Sequence, residues 1–182
     1  MLPMRLYDTA RGDVVPFRPD RMVRLYTCGI TPYDATHLGH AFTYLTFDLV
    51  IRRLEDLGHE VRMVRNVTDV DDSILGKARA LGVDYLELAA SEVASFHEDL
   101  AALDLRPAVA EPRATESIQS MLDLIGRLEV AGHTYTVKGT TFFDVSTWDG
   151  FGSVSGYDES TMVAYAAERG ADPDDPRLRN PL

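Results

Sequence analysis

The sequence predicts an α/β protein with a Rossmann-like parallel sheet, and three observations support that fold class. Residues 23–28 and 60–67 alternate apolar and polar side chains and are rich in strand formers. A helical pattern begins at His37, after a loop over 29–36 that contains Gly, Pro and Asp. The order strand, loop, helix, strand within about 45 residues is typical of a βαβ unit, whose two strands run parallel.

The helix between these strands carries an apolar stripe that we expect to face the core. Gly58 stands where a helix commonly stops. The stripe is formed by Phe42, Leu45, Leu49, Leu54 and Leu57.

Two further helices are predicted downstream, separated by the chain-breaking Pro107 and Pro112. Asp84 is the predicted N-cap of the first and Thr115 of the second, which ends before Gly132. The acidic segment 68–73 between strand and helix is predicted to be a turn. The inward residues of the first helix are Leu86, Ala89, Val93, Phe96, Leu100 and Leu103, and those of the second are Ile118, Met121, Leu122, Ile125 and Leu128.

The ends of the chain are less regular. Residues 4–19 are mixed and turn-rich. Residues 134–137 and 140–145, joined across Lys138 and Gly139, predict a β-hairpin. A short helix is expected to start at Asp158 or Ser160 and to end near Gly170, and residues 171–182 are predicted to be a loop or tail.

Composition limits the class of protein before any motif is considered. The 182 residues contain 18 Lys and Arg against 29 Asp and Glu, for a formal charge of -11. This charge argues against a protein whose whole surface binds nucleic acid, because such domains are usually basic. One cysteine permits no intrachain disulfide and suits a reducing cytosol. No apolar run resembles a signal peptide or a membrane span, so we expect a cytoplasmic protein with no membrane partner.

The segment 28–40 is the candidate site, because it joins the first strand of the βαβ unit to its helix. Ligands of open α/β sheets bind at the carboxyl ends of the strands, and a helix N-terminus favours phosphate. His37 and His40 place two hydrogen-bond donors there, and Gly39 leaves room for a flat base against the backbone. The glycine-rich phosphate loops are not present.

These residues resemble a known family. The strand, loop and helix are similar to the HIGH signature of class I aminoacyl-tRNA synthetases. Together with residues 65–72, the string resembles cysteinyl-tRNA synthetases and the closely related mycothiol-pathway cysteine ligases. Residues 111–115 and 143–145 fit the synthetase pattern, whereas 155–158 and 168–173 are closer to the mycothiol ligases.

The resemblance implies a role for each matching residue. Cys28 matches a zinc ligand, and the soft zinc ion would select a thiol substrate over serine. His37 and His40 match the histidines that stabilise the ATP phosphates during adenylation. Asp69, Asp71 and Asp72 are expected mainly to cap and turn the chain. The residues that match contacts to ATP or the adenylate are Gly29, Ile30, Thr31, Gly39, Thr43, Asn66, Val67 and Thr68.

The implied reaction is ATP-dependent activation of L-cysteine to cysteinyl-adenylate, followed by transfer to tRNA(Cys). Transfer to glucosaminyl-inositol is the alternative, and a monomer is expected for the complete protein. The resemblance further implies that residues 1–132 are the first half of the catalytic domain. Residues 133–182 would then begin a connective insertion with an irregular tail.

The sequence also departs from the family. The further zinc ligands and the lysine-rich signature loop have no counterpart, since Lys77 and Lys138 lie in other settings. We therefore expect an N-terminal half with little activity alone. Two alternatives stay open: a small nucleotidylyltransferase, for which Ser160, Thr161 and Arg169 are a poor phosphate motif, and a non-catalytic paralogue.

Overall fold

The structure, a computed structural model, describes residues 4–168, 171–172 and 174–180. Its first element is an antiparallel pair, β1 (Arg5–Asp8) and β2 (Asp13–Pro16), where the sequence predicted only turn-rich chain. A tight turn joins the strands, in which the Asp8 carbonyl accepts from the Gly12 N–H at 2.8 Å and Gly12 has a φ of 64°.

The predicted βαβ unit is confirmed. The strands β3 (Met22–Ile30) and β4 (Glu60–Val67) are parallel, with helix α1 (Leu38–Asp56) between them in the chain. The register shifts between Thr27 and Ile30, which marks a bulge. The expectation that the loop begins at residue 29 is therefore wrong, because the strand resumes after the bulge and continues to Ile30.

Residues 109–113 run parallel to β4 on the side opposite β3, and the sequence did not predict this because prolines interrupt the segment. The Val109 N–H donates to the Met63 carbonyl at 2.8 Å, and the Val67 N–H donates to the Pro112 carbonyl at 3.0 Å. Proline has no N–H, so Pro112 can accept from β4 but cannot donate to a further strand. This segment thus lies along the sheet without forming a regular strand.

Helix α1 buries a different face from the one predicted. Phe42 and Leu49 are 75% and 67% exposed, and Leu45 is also exposed. Of the predicted stripe, Leu54 is buried as expected, and the other buried residues of the helix are Tyr44, Asp48 and Ile51. Asp48 is accommodated there because its carboxylate accepts from the Arg106 backbone N–H at 3.0 Å and from Arg52 Nε at 2.5 Å.

Two helices follow β4. Helix α2 (Asp72–Leu81) was not predicted, and its N-cap Asp71 accepts from the Ser73 N–H at 2.9 Å. Helix α3 (Tyr85–Ala102) begins after Asp84, as predicted. Its predicted stripe is wrong at both ends, since Leu86 and Leu103 are exposed. Its middle packs into a core cluster formed by Ile30, Tyr44, Val67, Val93, Phe96 and Leu100.

Helix α4 (Ala114–Val130) corrects two predictions. Thr115 lies in its first turn rather than at the cap. Its apolar side is not buried either, because periodicity identifies an apolar face and not what covers it. Ile118, Met121, Leu122 and Ile125 are exposed and Leu128 is half-buried.

The hairpin and the short helix are confirmed. Strands β5 (Thr134–Val137) and β6 (Thr140–Phe143) pair antiparallel, and α5 spans Glu159–Glu168. The predicted second strand is too long by two residues, because Val145–Thr147 form a short 3-10 helix. Arg169 and Gly170, predicted as a poor phosphate contact and as the end of the helix, lie outside the described residues.

The chain divides into two units. One comprises residues 19–119, and the other comprises residues before 19 together with those after 119. The predicted boundary after residue 132 stays a prediction. Within the described ranges, no helix is both long and apolar enough to cross a membrane.

Candidate active site

The bulge in β3 is held by the side chain of Asn66 on β4. Asn66 Oδ1 accepts from the Gly29 N–H and from the Tyr26 hydroxyl, both at 2.8 Å, and its Nδ2 donates to Thr68 Oγ1 at 3.1 Å. The Thr68 N–H in turn donates to the Ile30 carbonyl at 2.9 Å. The predicted adenylate contacts on the two strands therefore form one hydrogen-bonded group at the carboxyl edge of the sheet.

Gly29 is required at the bulge for a steric reason. A Cβ on this residue would lie 1.5 Å from the Asn66 carbonyl oxygen, closer than any contact allows. The side chains of Ile30 and Val67 are buried in the core, so these two residues can offer a ligand only their backbone. The exposed groups at this edge are the thiol of Cys28 and the ring of Tyr26.

The two histidines form the N-terminal cap of α1. The Gly39 N–H donates to His37 Nδ1 at 3.1 Å, and the His37 N–H donates to His40 Nδ1 at 3.3 Å. A backbone N–H can only donate, so each Nδ1 accepts and the ring proton resides on Nε2. The capping box thus sets both rings in the tautomer that presents an Nε2–H donor.

The rings of His37 and His40 also stack, with centroids 4.0 Å apart. Burial lowers the pKa of His40, and the neighbouring His37 lowers it further. A Cβ on Gly39 would lie 2.9 Å from two atoms of the His37 ring, so a side chain there would displace the ring. Thr43 lies one turn along, where its hydroxyl donates to the Gly39 carbonyl at 3.0 Å.

Tyr44 joins this helix end to the strand edge, and sequence reasoning missed it. Its hydroxyl donates to the Cys28 carbonyl at 3.3 Å, and burial raises the pKa of Tyr44 to about 12. The Arg65 guanidinium lies 5.4 Å from the Tyr44 ring centroid and 5.0 Å from that of Phe96. Arg65 Nε donates to Glu111 at 2.5 Å, so a half-buried ion pair lies against the Tyr44 ring.

Two of the acidic residues after β4, Asp69 and Asp71, act as caps as the sequence predicted, whereas Asp72 lies in the first turn of α2. The Asp69 carboxylate accepts from the Thr115 N–H at 2.9 Å and from the Thr115 hydroxyl at 2.7 Å. Asp71 caps α2. The Asp158 carboxylate likewise accepts from the Thr161 N–H and the Ser160 hydroxyl, both at 2.8 Å, so Asp158 caps α5 and these two residues are its donors.

The described residues do not form a zinc site. Within the described part of the chain, no three His, Cys, Asp or Glu side chains are grouped so that they could hold a metal ion. Zinc in proteins ordinarily has three or four such ligands. The exposed thiol of Cys28 offers one, so its assignment as a zinc ligand stays a prediction.

Known proteins of one family match this chain over most of its length. A family model described as the catalytic domain of class I (C) tRNA synthetases matches residues 14–177. Two relatives, from Thermobispora bispora and Geodermatophilus obscurus, are each described as L-cysteine:1D-myo-inositol 2-amino-2-deoxy-alpha-D-glucopyranoside ligase. Both are 49% identical to this chain, over 100% and 98% of it. The chain spans only 45% and 43% of their lengths.

The fold itself resembles solved class I synthetases. Mycobacterium tuberculosis methionyl-tRNA synthetase in complex with methionyl-adenylate superimposes with a TM-score of 0.63 at 19% sequence identity. The match covers 83% of this chain and 39% of that protein. At this identity the likeness concerns the fold alone, and it supports the predicted Rossmann-like class.

Proposed function

Because the chain belongs to the family of class I (C) tRNA synthetase catalytic domains, we propose that it is part of an ATP-dependent ligase that activates L-cysteine and joins it to 1D-myo-inositol 2-amino-2-deoxy-α-D-glucopyranoside. The observation that carries this proposal is the 49% identity, over the full chain, to a protein described as the ligase of those two substrates. The synthetase-type family model keeps tRNA as the second candidate acceptor.

The proposed reaction has two steps. An oxygen of the cysteine carboxylate attacks the α-phosphorus of ATP, and the bond to the β-phosphate breaks to release pyrophosphate. The amine of the acceptor then attacks the carbonyl of cysteinyl-adenylate, loses a proton and displaces AMP. The enzyme forms no covalent intermediate, so its contribution is positioning and stabilisation of charge.

The geometry of the helix cap supports the first step. The Nε2–H groups of His37 and His40 can donate to phosphate oxygens, and the positive end of the α1 dipole favours the same charge. We assign the adenylate to the neighbouring edge of the sheet, where the contacts proposed for it are Gly29, Ile30, Thr31, Gly39, Thr43, Asn66, Val67 and Thr68. Cys28 is proposed as a zinc ligand.

The first test is pyrophosphate exchange by the full-length protein that carries this chain. Cysteine should drive exchange and serine should not. His37→Ala and His40→Ala should each lower kcat by about 100-fold, the usual effect of removing a transition-state donor, with little change in KM for cysteine. His59→Ala is the matched control, because His59 hydrogen-bonds the Asp20 carbonyl through Nδ1, away from the cap. Exchange driven by another acid, or equal rates in all three variants, would contradict the proposal.

The second test separates the two acceptors. The same protein is supplied with cysteine and ATP and either the glucosaminyl-inositol or tRNA(Cys), and the cysteinylated product is measured. We expect product with the amino sugar. Product with tRNA alone would leave the activation step intact and replace the proposed acceptor.

A further inference from the structure

The loop that leads into the histidine cap is tied to helix α3. Thr36 immediately precedes His37, and its hydroxyl donates to the carboxylate of Asp99. The two residues are 63 positions apart in the chain. Asp99 lies on a part of α3 that is anchored in the core by Phe96 and Leu100. The contact therefore links the site to a rigid element.

The histidine rings depend on such polar contacts because packing leaves one side of them open. A cavity of about 510 Å³ lies between α1 and α3, and His37, His40, Tyr44 and Asp99 border it. A second contact to the loop, Lys77 Nζ to Asp34 at 2.9 Å, joins side chains that are 37% and 60% exposed. Both this ion pair and the Thr36–Asp99 hydrogen bond lie at the surface, and they hold the loop from two different helices.

We propose that Thr36 and Asp99 are positioning residues for the adenylation step, acting through His37. Their hydrogen bond fixes the backbone at the start of the capping box. The box in turn holds Nδ1 of both histidines as acceptors and directs both Nε2–H donors outward. The expected effect on catalysis rests on the proposed function. The hydrogen bonds that orient the two rings do not, because they are present in the chain without substrate.

The positioning is tested first by nuclear magnetic resonance on the chain of 182 residues. The nitrogen chemical shifts of the His37 and His40 rings report which nitrogen carries the proton. We expect the Nε2–H tautomer in the parent chain. Asp99→Ala and Thr36→Val should each shift both rings toward a tautomer mixture, and the double variant should add nothing further. Glu98→Ala, which removes a neighbouring charge from the same helix, should leave the shifts unchanged.

The catalytic consequence is tested in a composite ligase in which residues 1–182 replace the matching segment of the Thermobispora bispora protein. Asp99→Ala and Thr36→Val should each lower kcat for cysteine-dependent exchange by about 10-fold, with KM for ATP changed by less than about twofold, because misplaced groups slow a reaction without weakening ground-state binding. Asp99→Asn and Thr36→Ser, which keep an acceptor and a hydroxyl, should restore most of the rate.

The outcomes separate the two proposals. Unchanged histidine shifts in Asp99→Ala, or the same loss in Glu98→Ala, would overturn the positioning role. Altered shifts in the chain of 182 residues, together with a composite ligase that does not use cysteine, would instead overturn the proposed function and leave the positioning in place. A fall in kcat that Asp99→Asn does not restore would also contradict the hydrogen bond as its cause.

Discussion

Arg65 shows how one buried side chain supports the site. Its side chain is 4% exposed and is paired with Glu111, which also contacts His97 Nε2 at 2.8 Å. The Arg65 guanidinium also lies over the rings of both Tyr44 and Phe96, a contact that suits a planar cation. Removing Arg65 would take away the positive charge that pairs with the Glu111 carboxylate. It would also remove the side chain that packs on the Tyr44 ring.

We expect Arg65→Ala to reduce the free energy of unfolding by about 3 kcal/mol, at the lower end for a broken buried pair because Glu111 keeps some contact with solvent. Urea unfolding followed by circular dichroism measures this. The matched control on the same strand is Arg62→Ala, whose pair with Glu60 joins side chains that are 60% and 58% exposed. That variant should lose less than about 1 kcal/mol. Equal losses in the two variants would show that Arg65 does not act through its burial.

At the scale of elements, the caps after β4 offer a direct comparison. Asp69 is 1% exposed and holds the first turn of α4 through Thr115, whereas Asp71 caps α2 from the surface. Asp69→Ala should cost about 2 kcal/mol because it leaves two part-buried donors of Thr115 unpaired, and Asp71→Ala should cost about 1 kcal/mol, the usual value for an exposed cap.

The same experiment distinguishes a cap from a catalytic carboxylate. Asp69→Asn keeps an oxygen acceptor for the Thr115 N–H and should recover part of the lost stability in thermal unfolding. In the composite ligase it should then exchange pyrophosphate at near the parent rate. A stable Asp69→Asn protein without exchange would make Asp69 a catalytic residue, contrary to our interpretation.

The elements also show what the sequence can and cannot predict. The βαβ unit and the hairpin at residues 134–143 were predicted because their signals are local: alternation, a cap, a glycine turn. The buried face of α1 was not, because the helix is apolar on two sides and the choice depends on distant partners such as Arg106. Residues 109–113 were missed because Pro112, which has no N–H, breaks the sequence pattern of a strand, although the segment both donates to and accepts from β4.

In the site, the same distinction separates the residues that were found from those that were missed. The histidines lie within one short motif, whereas Tyr44 and Asp99 reach the site through contacts 16 and 63 positions apart in the chain. No local pattern encodes such contacts. Composition and periodicity can therefore place the cap, but only the folded chain identifies what holds it.

For the whole molecule, the central question is how much of the reaction this chain can perform. It carries the histidine cap and the strand edge, but it spans only 45% of the Thermobispora bispora ligase. Among the described residues, Cys28 offers one possible zinc ligand and no group of three is present. Neither Lys77 nor Lys138 lies in a signature loop that could reach the phosphates. In the proposed reaction, charge on the leaving pyrophosphate would then be stabilised by the histidine cap without help from a lysine.

We expect the chain of 182 residues alone to exchange pyrophosphate at least about 100-fold more slowly than the composite ligase, since removal of even one charge-stabilising group has that effect. Both proteins are assayed with cysteine and ATP at equal concentration. A composite carrying His37→Ala serves as the control for rate supplied by the added segment, because it keeps that segment and loses the cap. Comparable rates in the isolated chain and the composite would show that residues 1–182 contain a complete adenylation site. The remaining segment of the longer relatives would then not be needed to stabilise the leaving pyrophosphate.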